Sequence, residues 1–114
     1  MCLSLNLPCG VADRALTPPT VAPVLVVTTE LASFIAALEW TPSNKTGSAG
    51  FGYSIELNLN AGGWNVIDTT TSVSYNYEDL GATGGLLYEF RVTPYNDAGN
   101  GPVSNIETVT LPGI

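Results

Sequence analysis

Apolar and polar residues alternate along much of this chain, which is the period of a β-strand with one buried face. The clearest run is 53–59, where every second residue is apolar and Ser, Glu and Asn lie between. Segment 31–40 has apolar residues at its even positions from 34 onward, and Pro42 follows it. Helical spacing of apolar residues is nearly missing. The pattern therefore predicts an all-β chain.

Glycine, asparagine and proline divide the alternating runs from one another. Residues 60–63, Asn-Ala-Gly-Gly, are typical of a turn that joins 53–59 to a short strand at 64–68. The other strands predicted by period two are 24–27, 73–77, 86–95 and 103–111, with loops at 81–85 and 96–102. Pro18, Pro19 and Pro23 precede 24–27 and favour an edge strand there. Six or seven short strands are typical of an antiparallel sandwich.

The order of particular residues along these strands resembles the fibronectin type III domain over about residues 18–112. The residues that carry this resemblance are Pro19, Pro23, Leu25, Val27, Leu38, Trp40, Tyr53, Ile55, Trp64, Leu80, Tyr88, Phe90, Val92, Asn96, Gly99, Gly101 and Ser104. The family implies a seven-stranded antiparallel β-sandwich for 18–112. Residues 1–17 then form an N-terminal arm or a linker.

The resemblance also implies what the shared residues do. Trp40 would lie in the core between the sheets, and Tyr88 would form a tyrosine corner by bonding back to the preceding loop. The core signature is Trp40, Tyr53, Leu80, Tyr88, Phe90 and Val92. Residues 81–87 make a longer link before this corner than the family usually has. Pro94 stands where the family tends to donate a backbone hydrogen bond, so we expect a bulge or a broken ladder there.

Charge and composition exclude several classes of function. The 114 residues have a net charge of −7, and the three basic side chains, Arg14, Lys45 and Arg91, lie far apart, so nucleic acid is a poor partner. Histidine is absent, which removes the commonest general base. We expect no membrane insertion, because no apolar run reaches the ~18 residues that a spanning helix needs. The N-terminal ten residues also lack the basic start of a signal peptide.

Metal and cofactor sites are not predicted either. Cys2 and Cys9 lack the Cys-x-x-Cys spacing of a zinc site, and they either close a small disulfide loop or stay as thiols. Asp97 is flanked by Asn96 and Asn100, but the spacing lacks the repeated acidic ligands of a calcium loop, so we expect these residues to cap turns. We therefore predict no cofactor and a non-enzymatic chain.

Acidic residues of the predicted strands fall on solvent-facing positions, namely Glu39, Glu56, Glu78 and Glu89. Adjacent carboxylates point to opposite faces of an extended chain, so Glu78 and Asp79 do not form an acid and base pair. Glu56 and Arg91 face outward on strands that are neighbours in this fold, and we predict an ion pair between them.

Two surfaces are candidates for binding. Loops 42–50 and 96–101 should meet at one end of the sandwich, with 81–85 at the other, and the candidate loop residues are Asn44, Asn96, Asp97 and Asn100. Asn44-Lys45-Thr46 also fits the glycosylation pattern, which matters only in a eukaryotic secretory protein. The candidate interaction arm is apolar, with Leu3, Leu5, Leu7, Val11 and Leu16. It either packs on another subunit or covers the open sheet edge or the base of its own domain.

Two hypotheses of function follow. In the first, the chain is a virion accessory or decoration protein of a phage capsid or tail that starts at Met1. Its arm joins other protein subunits of the assembly, and its sandwich stands on the virion surface for weak recognition of surfaces or cell-surface carbohydrate. In the second, it is a spacer or binding module of a secreted bacterial enzyme or cell-surface adhesin. The apolar arm is unlike the polar linkers of such modules and favours the first.

Overall fold

The computed structural model describes residues 16–30, 35–78 and 87–110. Eight strands are present in these ranges, and no helix is. They are β1 (Leu25–Glu30), β2 (Ile35–Trp40), β3 (Gly52–Leu59), β4 (Trp64–Thr70), β5 (Ser74–Tyr77), β6 (Leu87–Asn96), β7 (Gly99–Asn100) and β8 (Glu107–Thr110). The all-β prediction is confirmed. The count exceeds the predicted seven because 96–102 is a tight hairpin and not one open loop: Asp97 and Ala98 form its turn, and β7 follows.

The strands form two antiparallel sheets. The three-stranded sheet has the order β1-β2-β5, with Leu25 opposite Trp40. The five-stranded sheet has β4, β3 and β6 in succession, and β7 and β8 both pair with the far side of β6. Ile55 of β3 lies opposite Val92 of β6. The two sheets pack face to face as the predicted sandwich.

Alternating side chains of both sheets fill the space between them. The buried apolar residues are Leu25, Ala36, Leu38, Trp40, Tyr53, Ile55, Leu57, Tyr88, Phe90, Val92 and Val109. Tyr53 stacks edge-on against Trp40, with ring centroids 5.5 Å apart. Leu59 belongs to the apolar face of β3 by sequence, yet it is 41% exposed because it lies at the end of the strand.

The turn between β3 and β4 has left-handed backbone at two successive residues. Asn60 and Ala61 have φ of 53° and 62°, and the Gly62 N–H donates to the Leu59 carbonyl oxygen at 2.9 Å. A type I′ turn requires this conformation, and its twist matches the twist of the strands that it joins. The hairpin predicted at 60–63 is confirmed.

The ladder break expected at Pro94 occurs on one side of β6 only. On that side, pairing with β7 stops at Tyr95, pairing with β8 starts at Phe90, and the register shifts by two residues between them. Pairing of β3 with β6 runs without a shift from Gly52 opposite Tyr95 to Leu59 opposite Tyr88. The Pro94 carbonyl oxygen accepts from the Gly101 N–H at 2.7 Å, on the side of β6 that faces away from β3. Since the N–H and C=O of one strand residue point the same way, proline removes no hydrogen bond to β3. A second irregularity of this sheet lies between β3 and β4, beside Ile55.

Each open side of the sandwich is linked by a side chain. On one side, the Asn105 amide accepts from the Leu25 N–H at 2.7 Å and donates to the Leu25 carbonyl oxygen at 3.0 Å. On the other side, Tyr75 of β5 lies close to the Asp68 carboxylate of β4. Asn105 lies just before β8, so both contacts connect the two sheets at edges that share no backbone ladder.

The Tyr75 link predicts a loss of stability at alkaline pH. Burial first, and then the charge and hydrogen bond of Asp68, raise the pKa of Tyr75 above its ordinary value of 10.0. The folded state therefore holds the Tyr75 proton more tightly than the unfolded chain. This stabilisation is fully present below the unfolded pKa and is lost as pH rises through the folded pKa. We expect urea unfolding to show a smaller alkaline loss in Tyr75→Phe than in wild type.

The matched control keeps the tyrosine and removes its charged neighbour. Asp68→Asn should reduce the alkaline loss only in part, because burial is the larger cause of the raised pKa. Equal alkaline losses in wild type and Tyr75→Phe would contradict this account.

Candidate interaction surface

Three segments meet at one end of the sandwich. The Asp97 N–H at the β6–β7 turn donates to the Ala49 carbonyl oxygen at 3.0 Å, which joins that turn to the 41–51 loop. Residues 17–21, here called the anchor segment, lie against both. The predicted meeting of the 42–50 and 96–101 loops is thus observed, and the anchor segment adds a third component that the sequence pattern did not indicate.

Asn44 faces the anchor segment. Its side-chain oxygen accepts from the N–H groups of Thr20 and Val21 at 2.8 and 3.3 Å, and its amide nitrogen donates to the Thr20 hydroxyl at 2.8 Å. Neighbouring Ser43 donates from its hydroxyl to the Val21 carbonyl oxygen at 2.5 Å. The Asn44 amide is therefore used in holding the chain.

Asn96 has a similar role at the base of the hairpin. It is 5% exposed, and its amide nitrogen donates to the Thr17 carbonyl oxygen at 2.8 Å and to the Ser48 hydroxyl at 3.1 Å. Its side-chain oxygen accepts from the Ala98 N–H at 2.8 Å, which closes the turn. One buried amide thus joins all three segments, and the turn-capping role expected for Asn96 is confirmed.

Lys45 adds a third contact to the anchor segment. Its ammonium group donates to the Thr17 hydroxyl and, at 3.2 Å, to the Pro18 carbonyl oxygen. Its backbone has φ of 61°, a left-handed conformation that is uncommon outside glycine and asparagine. Sequence reasoning did not select Lys45, Ser43 or Asn105, because the anchor-segment and β1 residues that they bond lie 22 or more residues away. The only signal was the cluster of turn-forming residues around Asn44.

Asp97 and Asn100 remain as the outward residues of the predicted loop set. Both are exposed at the tip of the β6–β7 hairpin. The Asp97 carboxylate occupies the space where Gly50 would carry a Cβ, and Gly50 has φ of 71°. Within the ranges that the structure describes, no three acidic, cysteine or histidine side chains lie close enough to hold a metal ion.

A second polar cluster covers the outer face of the five-stranded sheet. The Arg91 guanidinium donates to Glu56 Oε1 at 2.8 Å, and the Thr93 hydroxyl donates to Glu56 Oε2 at 2.6 Å. Arg91 also lies over the Trp64 ring, 4.1 Å from its centroid. The predicted ion pair is confirmed, and Thr93 and Trp64 are additional partners. Both oxygens of the Glu56 carboxylate are therefore engaged in hydrogen bonds.

The outer side of the three-stranded sheet has a shallow groove of about 290 Å³. Its lining residues are Val24, Val26, Glu39, Trp40 and Thr41. Val24 and Val26 are each more than half exposed. The groove is therefore lined by two exposed valines together with polar Glu39 and Thr41.

Several predicted residues lie outside the described ranges. These are Leu3, Leu5, Leu7 and Val11 of the arm, Cys2, Cys9, Asp79, Leu80 and the 81–85 loop. Leu16 is described and is 42% exposed. Tyr88 is buried at 2% exposure, and the loop of its proposed corner is not described. None of the described segments is a helix long and apolar enough to cross a membrane.

Solved structures with the same architecture are fibronectin type III domains. The sixth such domain of human fibronectin type III domain containing protein 3 superposes with a TM-score of 0.68 at 21% identity, covering 89% of this chain and 92% of that one. FN3tt gives 0.67 at 20% identity, covering 85% and 98%. The chain has the fibronectin type III fold.

A longer structure shares the fold as one part of its length. The FN1-FN3 domains of chicken CNTN1 match with a TM-score of 0.66 at 21% identity, covering 90% of this chain and 38% of that one. No protein-family model matches the sequence, and no curated protein matches it significantly. The similarity to known proteins therefore lies in the fold.

Proposed function

We propose that this chain is a non-enzymatic interaction protein that joins other protein subunits through its N-terminal arm and exposes its fibronectin type III sandwich. The observation that carries the proposal is the clamping of the anchor segment by Asn44, Lys45 and Asn96. The clamp fixes where the apolar arm leaves the domain. A fixed origin reduces the entropy lost when a flexible segment binds.

The assembly that we propose is a virion, with the chain as an accessory or decoration protein on its surface. Low charge and a Thr-, Ser- and Asn-rich exterior suit a protein that packs beside others. Asp97 and Asn100 at the hairpin tip are the residues proposed for weak carbohydrate contact. A glycan array probed with the purified chain tests that contact, and no binding above background would remove it from the proposal.

The attachment is tested by making the arm polar in the full chain. We expect a Leu3→Ser, Leu5→Ser, Leu7→Ser variant to be lost from gradient-purified particles, because burial of the three leucines supplies the binding free energy. Immunoblotting of the particle fraction against tagged wild type measures the loss. Val66→Ser is the matched control, since Val66 is 60% exposed on the outer face of β4. Full incorporation of the triple variant would refute attachment through the arm.

A second candidate function is that of a spacer or binding module within a longer secreted or cell-surface protein. It is favoured by the chicken CNTN1 structure, in which this fold accounts for about a third of the chain. A reading frame that continues upstream into a catalytic or cell-wall domain would support the spacer function over attachment to a particle.

A further inference from the structure

Among the described residues, no strand forms a ladder with one side of β1, although β8 of the other sheet lies close to it. The Val24 carbonyl oxygen accepts from the Thr41 N–H, so alternate residues of this strand direct their backbone groups toward β2. The residues between them, Leu25, Val27 and Thr29, direct theirs away from β2. Leu25 is bonded by Asn105. Among the described residues, none forms a ladder with Val27 or Thr29 on that side.

Between Leu25, which Asn105 covers, and Glu30 at the other end, this edge has few of the features by which proteins usually block strand addition. The sequence LVVTTE contains no proline or lysine, and its six residues pair with β2 in unbroken register. The edge strand of the other sheet, β4, differs, because its pairing with β3 is interrupted beside Ile55. The open side of β1 is therefore the better template for an added strand.

The arm has the pattern of a strand that could occupy this edge. Leu3, Leu5 and Leu7 alternate with Ser4 and Asn6, which gives one apolar and one polar face. Paired beside β1 with a leucine opposite Val27, the three leucines would extend the face on which half-buried Val27 packs against the core. Neither 3–7 nor β1 before Glu30 has a charged side chain, so no like charges oppose the pairing.

We propose that segment 3–7 of one copy adds as a strand to the free edge of β1 in a second copy. Backbone groups of Val27 and Thr29 then receive up to four hydrogen bonds, which is the usual mode of strand addition. From Leu7 to the clamped Thr17, ten residues span at most roughly 33–36 Å, enough to reach a neighbouring copy. This inference rests on the proposed attachment through the arm and names its partner.

The experiment uses two full-length variants that each block one half of the contact. Thr29→Pro removes an outward N–H without touching the β1–β2 ladder, and exposed Thr29 has no core contact to lose. Thr29→Ala is its control, because it keeps the N–H. Leu5→Pro blocks pairing by the arm, with Leu5→Val as control. We expect wild type and both controls to self-associate in sedimentation velocity, and both proline variants to sediment as monomers.

Mixing the two proline variants gives the deciding result. One supplies an intact arm and the other an intact edge, so together they should form a complex of one copy of each. A monomeric wild type, or a mixture that stays monomeric, overturns the inference. So does a Leu5→Pro variant that still self-associates, which would indicate pairing of β1 with β1. If the triple Leu→Ser variant still fails to join particles, the proposed function stands with a different subunit as partner.

Discussion

Trp40→Ala is expected to lower the free energy of unfolding by about 3–5 kcal/mol. Trp40 is 5% exposed, lies opposite Leu25 in the β1–β2 ladder and stacks edge-on against Tyr53. Its removal leaves a cavity between two sheets whose positions are set by many other contacts, so the space cannot collapse fully. Urea unfolding measures the effect as a lower midpoint at an unchanged slope.

The second tryptophan is the matched control. Trp64 lies on the outer face of the five-stranded sheet and contacts the Arg91 guanidinium, so Trp64→Ala should cost only about 1 kcal/mol. Trp40→Phe should be milder than Trp40→Ala. It keeps a ring beside Tyr53 and removes Trp40 Nε1, which is buried with no hydrogen-bond partner. Equal costs for alanine at Trp40 and Trp64 would show that Trp40 is not a core residue.

The sandwich could be predicted because its central strands have one buried face. In β3 and β6 every second residue is apolar, and the register places Ile55 beside Val92 as the pattern requires. The same alternation places Glu56 and Arg91 on the opposite face, which is why their ion pair could be predicted from position alone. The alternation of apolar and polar residues therefore predicts both the buried core and the polar outer face of these strands.

The candidate site was less predictable, because sequence shows that a side chain is polar but not which way it points. Asn44 and Asn96 were selected as loop surface, yet their amides bond the anchor segment across 24 and 79 residues of sequence. Asp97 and Asn100, with the same turn-forming character, lie outside. The difference depends on the path of residues 17–21 across the domain. This proline-containing segment has no alternation of apolar and polar residues, so its path could not be predicted from the sequence.

The direction of backbone groups is equally hard to predict from sequence, as Pro94 shows. Proline in a strand is harmful only on the side where its missing N–H would have paired. At Pro94 that side faces Gly101 and not β3. The sequence does not show toward which neighbouring strand the backbone groups of a β6 residue point. That becomes known only when the neighbouring strands are placed.

Gly101→Ala is expected to destabilise the chain by about 1–3 kcal/mol, because the new methyl group has no room. A Cβ at Gly101 would lie 2.6 Å from the Pro19 carbonyl oxygen and 3.0 Å from the Pro19 carbonyl carbon. Gly101 cannot retreat, since its N–H is held by the Pro94 carbonyl oxygen at 2.7 Å. Pro19 must therefore move, and this strains the contacts of Thr20 with Asn44.

The clash has a consequence beyond stability, because Pro19 lies within the anchor segment. Displacing it should expose residues 17–21 to limited proteolysis at a protease concentration that leaves wild type intact. Gly47→Ala is the matched control, since nothing lies within 4 Å of a Cβ there. Urea unfolding and a digestion time course measure both effects. If Gly101→Ala resists urea and protease as well as Gly47→Ala does, the anchor segment is not held against the β6–β7 hairpin. The proposal that the arm leaves the domain from a fixed point would then lose its support.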